Sequence, residues 1–366
     1  MEAELYFPLF LALVSALALI LGSRLLMSGG ENRITSANNS INFWYALPIA
    51  LVLTLWLGGR PYDTAIFGDT ISYAHMYNHY APDTYNFNFS GEWFFACIMA
   101  FCNISGLDVN GFFTVTAAIY TFTALLAVRI ILPRNPLLGM VFVWGSLMYF
   151  TFCVNGIRNG MACHIILLAM ALFFDSRYIP AAFLAFLAMG IHRSTALPIV
   201  SLIAARWVIK DARWAVYIWL GSIVVSLFAG GFFVNLITSL GFDERMESYA
   251  SSDYNDQFSA TGFRWDFLLY SAFPILMGYV VLIKKNLVDN WYRVIFVTYC
   301  LANAFWVLVI RMAFTNRFAY LSWFMYPLVL AYPLIMMKVW PDQDRRTAYI
   351  LLAYVGFTVF MNGFYW

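Results

Sequence analysis

Six arginines stand where arginine is costly. Arg60, Arg158, Arg193, Arg264, Arg311 and Arg317 each lie at the end of a long apolar run. A guanidinium in hydrocarbon costs about 3 kcal/mol unless it is paired or hydrated. Arginines so placed line polar cavities that hold anions, and their planar fork matches phosphate in a bidentate fashion. A set of them at one membrane level points to a phosphate or pyrophosphate bound there. The alternative is pairing with a neighbouring carboxylate, Arg60 with Asp63 or Arg264 with Asp266.

Groups that can move a proton accompany them. His192 lies in GIHRS at 190–194 and can serve as a base or as a donor to phosphate; an interhelical hydrogen bond is its other reading. Glu92 stands directly before the short apolar run 93–104, where a carboxylate either caps a helix or acts as a base. Arg158 sits in NGIRNG at 155–160, between Asn155 and Asn159, with glycines that allow close backbone approach. Asp69, Tyr73, Tyr77 and Tyr80 share one face of a helix predicted from Gly68 onward. Tyrosine rings stack on sugars, and Asn and Asp bind hydroxyls; an interfacial aromatic belt fits the same composition. His75 and His79 have zinc spacing, but no third ligand is apparent and no metal is expected. TNRFAYLSW at 315–323 places Arg317 at the start of a helix with Tyr320 one turn on.

The elements that position these residues are transmembrane helices. Of the 366 residues, 63% are hydrophobic and only 11% charged, against roughly 25% charged in a soluble domain. Apolar runs at 5–27, 42–59, 111–132, 136–154, 160–174, 178–191, 195–209, 214–236, 266–284, 291–310, 318–337 and 347–364 give twelve expected spans in an all-α polytopic fold. The run 93–104 is too short to cross and is expected to be re-entrant or interfacial. One set of loops carries fourteen basic residues, among them Arg24, Arg129, Arg134, Lys284, Lys285 and Arg345, against six acids; the alternate set carries seven basic and thirteen acidic. The first set is therefore cytoplasmic, and both termini lie outside. The whole chain, 1–366, forms one transmembrane domain, with outer loops 60–91 and 237–265 contributing to the site. No P-loop or dinucleotide fingerprint appears, which argues against direct use of ATP. The cysteines, Cys97, Cys102, Cys153, Cys163 and Cys300, lie in apolar stretches and are expected as buried thiols.

In these residues the chain resembles the EpsG family of exopolysaccharide and O-antigen polymerases, often called Wzy-type. The resemblance rests on Asp69 with Tyr73, on Glu92 before a short helix, and on the N-x-I-R-N-G-x-A block from Asn155 to Ala162. His192 with Ser194 and Arg317 with Tyr320 continue it in order. Asn159 stands where the family commonly has glutamine. The resemblance implies a GT-C-like helical bundle in the bacterial inner membrane that makes surface polysaccharide, including lipopolysaccharide. Its donor and acceptor would be undecaprenyl-pyrophosphate-linked oligosaccharides, with membrane lipid and a chain-length regulator protein as partners and no cofactor or nucleic acid. On this reading Asp69, Glu92 and His192 are the catalytic candidates, and Arg158, Arg264, Arg311 and Arg317 bind pyrophosphate. Arg60, Asp63, Tyr73, Tyr77, Asn155 and Tyr320 meet the glycan. A flippase for the same lipid-linked oligosaccharide and a membrane acyltransferase are the competing classes. The first would want polar residues at mid-membrane depth and internal repeat symmetry.

Overall fold

A computed structural model describes residues 2–28, 41–62, 65–79, 89, 91–239 and 262–365. Asp63 and Tyr80 fall outside the described residues, as does most of the outer segment 237–265. Helices are the only regular secondary structure among the described residues. A backbone in hydrocarbon must satisfy its own polar groups, and helices do so within one segment. Seven helices among the described residues are long and apolar enough to cross by themselves: Ala3–Met27, Val109–Ile131, Ile157–Phe174, Ala212–Phe233, Trp265–Lys284, Asn290–Leu308 and Thr315–Met336. The chain is a multi-pass helical membrane protein.

Of the other expected spans, 347–364 lies in one unbroken helix of 23 residues, Gln343–Tyr365, and the rest are shorter or interrupted. The expected span 136–154 is two helices, Pro136–Trp144 and Tyr149–Val154, because the chain turns at Gly145–Met148. The expected span 195–209 is Ala196–Ile203 followed by a wider π-type turn through Val208. Trp93–Ile104 is a helix of 12 residues, about 18 Å long against a hydrocarbon core of about 30 Å.

The chain divides into two compact units, 1–192 with 331–366, and 193–330. In the first unit the helices used below are α1 (Tyr6–Met27), α2 (Ile41–Gly58), α3 (Thr70–Asn78), α4 (Trp93–Ile104) and α5 (Val109–Ile131). They are followed by α6 (Pro136–Trp144), α7 (Tyr149–Val154), α8 (Ile157–Phe174) and α9 (Tyr178–Ile191). The core helix is α8, packed between α5 and α9, while α2 lies against α5 and α4 against α9. Asn135 caps α6 by accepting from the Leu138 N–H at 3.1 Å, with Pro136 at the first helical position.

The second unit is tied by a buried polar network. The Asn303 amide donates to Ser271 Oγ (3.1 Å) and Ser322 Oγ (2.9 Å) and accepts from Trp219 Nε1 (2.7 Å). Trp323 Nε1 donates to the same Ser271 hydroxyl at 2.7 Å, and the Tyr299 hydroxyl donates to the Ser271 carbonyl at 3.0 Å. Four helices meet there: Ala212–Ser239, Trp265–Gly278, Asn290–Leu308 and Thr315–Trp323.

Candidate functional site

One end of the first unit is fixed by long-range hydrogen bonds. The Tyr6 hydroxyl donates to the Gly59 carbonyl at 3.4 Å, and Asn110 Nδ2 donates to the Arg60 carbonyl at 3.0 Å. Arg60 is fully buried. Its guanidinium donates to the Leu57 carbonyl (2.9 Å), the Val154 carbonyl (3.1 Å) and Thr70 Oγ1 (3.2 Å), and it lies 4.1 Å from the Phe113 ring centre. Expected at the glycan, Arg60 is placed as a strut, each of its three guanidinium nitrogens donating to a protein group.

The same strut sets α3. The Thr70 hydroxyl donates to the Val154 carbonyl at 2.5 Å, and the Asp69 N–H donates to Asn155 Oδ1 at 2.8 Å. Asn155, also expected at the glycan, thereby pins the start of α3. Gly68 has φ +57°, and a Cβ there would meet the Asn155 amide at 2.6 Å. The turn needs glycine both for its left-handed backbone and for its closeness. The glycines of NGIRNG work in the same structural way. Cβ atoms at Gly156 and Gly160 would strike Phe152, at 2.8 Å and 2.3 Å, so they permit the α7–α8 turn rather than approach to a ligand.

With α3 set, Tyr73 and Tyr77 point inward. Both are buried. Tyr77 stacks on Phe112 at 4.7 Å and donates to the Leu107 carbonyl at 2.7 Å; burial raises the pKa of its phenol. Tyr73 meets Phe95 edge to face at 5.9 Å. Neither ring is exposed for sugar stacking. The exposed face of α3 carries His75 and His79, and His79 Nδ1 lies 2.8 Å from the His75 carbonyl.

Onto this aromatic floor comes Arg158, the second residue of α8. Arg158 Nε donates to the Tyr73 hydroxyl at 3.0 Å, and the guanidinium lies 5.4 Å and 5.7 Å from the Tyr73 and Phe95 ring centres. Arg158 Nη1 forms a close ion pair with Glu92 Oε2. The second oxygen, Glu92 Oε1, is 3.5 Å from His192 Nδ1, just past the end of α9. Glu92 makes no side-chain cap for α4. The carboxylate faces the arginine and the histidine instead of capping the helix. Side-chain exposures of 11% for Arg158, 20% for His192 and 29% for Glu92 show a cluster at the border of the core and still open to a ligand. Asp69 lies one turn before Tyr73 on the same helix face. Phe95, three residues after Glu92, was not singled out from sequence; its signal was only helical spacing.

The second unit carries Arg193 and the three cations besides Arg158 expected at pyrophosphate, Arg264, Arg311 and Arg317. Arg264 pairs with Asp266 through two contacts, 2.9 and 2.6 Å, and lies over Phe267 at 3.6 Å. That is the carboxylate pairing foreseen as the alternative to phosphate binding. Arg311 is exposed and lies 5.6 Å from the Phe263 ring centre. Arg317 lies 4.8 Å from the Phe314 ring centre, and Tyr320 is buried. Phe314 has φ +51°, a strained backbone for a bulky residue, and it turns the chain into the Arg317 helix.

Chemically, the Glu92–Arg158–His192 cluster offers a fork for an oxyanion, a carboxylate and an imidazole within one contact shell. Among curated proteins and among solved structures, none matches the chain. A family model described as the EpsG family matches residues 43–366. That match spans Asp69, Glu92, Arg158, His192 and nearly all of the helices described above. It is a family of polysaccharide-polymerase-type membrane proteins associated with glycosyltransferase activity. By the extent of this match, the chain belongs to the EpsG family.

Proposed function

We propose that the chain lengthens a polysaccharide at the outer face of the bacterial cytoplasmic membrane. It moves a glycan from an undecaprenyl-pyrophosphate carrier onto a second lipid-linked repeat unit. The observation that carries this reading is the Arg158 guanidinium held on an aromatic floor beside both Glu92 and His192.

In the reaction the anomeric carbon–oxygen bond to pyrophosphate breaks, and a new bond forms to an acceptor hydroxyl oxygen. The hydroxyl proton passes to a base, and the electron pair of the broken bond leaves on pyrophosphate. Fixed cations stabilise that developing charge, and a positioned base takes the proton. Arg158 supplies the cation. Its aromatic floor and the Tyr73 hydroxyl hold the fork in place before the ligand arrives. Arriving pyrophosphate competes with Glu92 for the guanidinium. The displaced carboxylate then turns to His192, or takes the acceptor proton itself. Asp69 is the further candidate base. The donor is already activated, so the step needs no nucleotide.

The test is the surface glycan of a deletion strain complemented with variants. A polymerase loss leaves single repeat units attached at the surface, and wild-type protein restores long chains while Arg158→Ala does not. Loss of all surface repeats, with lipid-linked units trapped inside, would overturn the reading in favour of a flippase.

A further inference from the structure

A cavity of about 500 Å³ lies among the ends of α1, α2 and α6, opposite the Glu92–Arg158 cluster. The start of α2 is joined to the start of α6 by Asn42 Nδ2, which donates to Asn135 Oδ1 at 3.0 Å. The far end of α2 reaches Gly59 and Arg60, at the level of the cluster. With 18 residues, α2 is about 27 Å long. The cavity is therefore about a hydrocarbon thickness away from the candidate active site, and is a separate feature. Its volume falls within the range of small-molecule sites.

The lining is divided. Leu17, Leu21 and Leu138 form apolar walls, while Arg24, Asn42 and Asn135 lie at the polar rim. Arg24 makes no ion pair or hydrogen bond among the described residues. Asn135 Oδ1 is already used twice, by Asn42 and by the Leu138 N–H, which leaves its amide nitrogen as a donor. Ile20 and Tyr45, also in the lining, are exposed on the helix flanks. A cation and an amide donor thus stand over an apolar groove that is open to the side. Arg129, over the Phe43 ring at 4.3 Å, and Arg134, bonded to the Met336 carbonyl at 2.8 Å, add positive charge at this end.

We propose that this cavity holds one anionic glycerophospholipid of the cytoplasmic leaflet. Its phosphate lies at Arg24 and Asn135, and an acyl chain runs along Leu17, Leu21 and Leu138. A bare anion would have no use for the leucine walls, and a zwitterionic lipid would bring its own cation beside Arg24. The basic excess at this end matches the negative potential of that leaflet.

The test is native mass spectrometry of the full chain in a neutral detergent, with phosphatidylglycerol and phosphatidylcholine added in equal amounts. One phosphatidylglycerol per chain is expected to survive activation in preference to phosphatidylcholine. Arg24→Gln should lower its occupancy about fivefold, the weight of one basic side chain near a membrane surface. Leu21→Trp, which fills the groove, should expel it, while Arg345→Ala should change nothing. Unchanged melting temperatures establish that the variants fold. Equal binding of the two lipids, or full phosphatidylglycerol occupancy in Arg24→Gln, would overturn the proposal. So would Arg24-dependent displacement of the lipid by inorganic phosphate, which would mark a site for free anions.

Discussion

Glu92 and Arg158 neutralise one another, so truncating either partner does two things at once. It removes a functional group, and it leaves a largely buried charge unmatched, at about 3 kcal/mol in stability. The two effects separate in a charge exchange. The double variant Glu92→Arg with Arg158→Glu is expected to recover most of the melting temperature lost by either single change, and to make no polymer. Polymer made by the exchanged pair would show that the ion pair is only structural. Arg158→Lys keeps the charge but not the fork, and should restore only a small part of the activity. His192→Ala should slow chain growth about a hundredfold or more if the imidazole handles the proton, whereas His79→Ala on the exposed face of α3 should leave it unchanged. Single-turnover assays with lipid-linked repeat units measure both. The candidates were legible in sequence because charge at the end of an apolar run is conspicuous. The choice between a cap and a base for Glu92 was not, since both have the same local spelling and the side chains it meets lie on α8 and after α9.

At the level of elements, the first unit depends on contacts between residues far apart in the chain. Arg60 and Val154 are 94 positions apart, and Asp69 and Asn155 are 86 apart. No local pattern encodes such pairs, which is why Arg60 and Asn155 read as ligand groups in sequence and emerge as supports. Arg60→Lys is expected to lose about 2 kcal/mol of stability, because an ammonium cannot reach Leu57, Thr70 and Val154 together. Gly68→Ala should cost at least about 1 kcal/mol and lower activity, because it forces a left-handed alanine against Asn155. Thermal unfolding in detergent, beside activity, reads both. Helix existence was legible from apolar runs, but breaks were not: the run 136–154 hides its interruption because Leu147 and Met148 keep it apolar through the turn after Gly145.

For the whole molecule, the alternation of charge makes an ordered prediction. Cysteines introduced one at a time at 133–135, 206–213 and 284–291 should resist an impermeant reagent added from outside and react after permeabilisation. Labelling of two of these loops from outside would reverse the topology. Among the native cysteines, Cys102, Cys153, Cys163 and Cys300 are buried and Cys97 half-buried, so background labelling should be low. Polytopic helical character was fully legible, because composition alone forbids a soluble core of this size. The number of crossings was less so: among the described residues seven helices qualify on length and apolarity, and the other expected spans range from the unbroken Gln343–Tyr365 to short or broken helices.

The network around Ser271 and Asn303 bears on how the chain is made. Its donors find their acceptors only when four helices are in register. A helix inserted alone would carry bare amide, hydroxyl and indole groups in lipid, where each lacks a partner. The network therefore distinguishes an assembled unit from an incomplete one by the polar groups left in lipid. A chain with one helix missing or misplaced displays polar flags in the bilayer that membrane proteases can read, whereas the completed unit hides them all. Asn303→Leu, which strips three of these bonds and leaves the Trp219 indole N–H without its acceptor, should thus be degraded faster than Ser322→Ala, which strips one, and pulse-chase turnover in the membrane would register the difference.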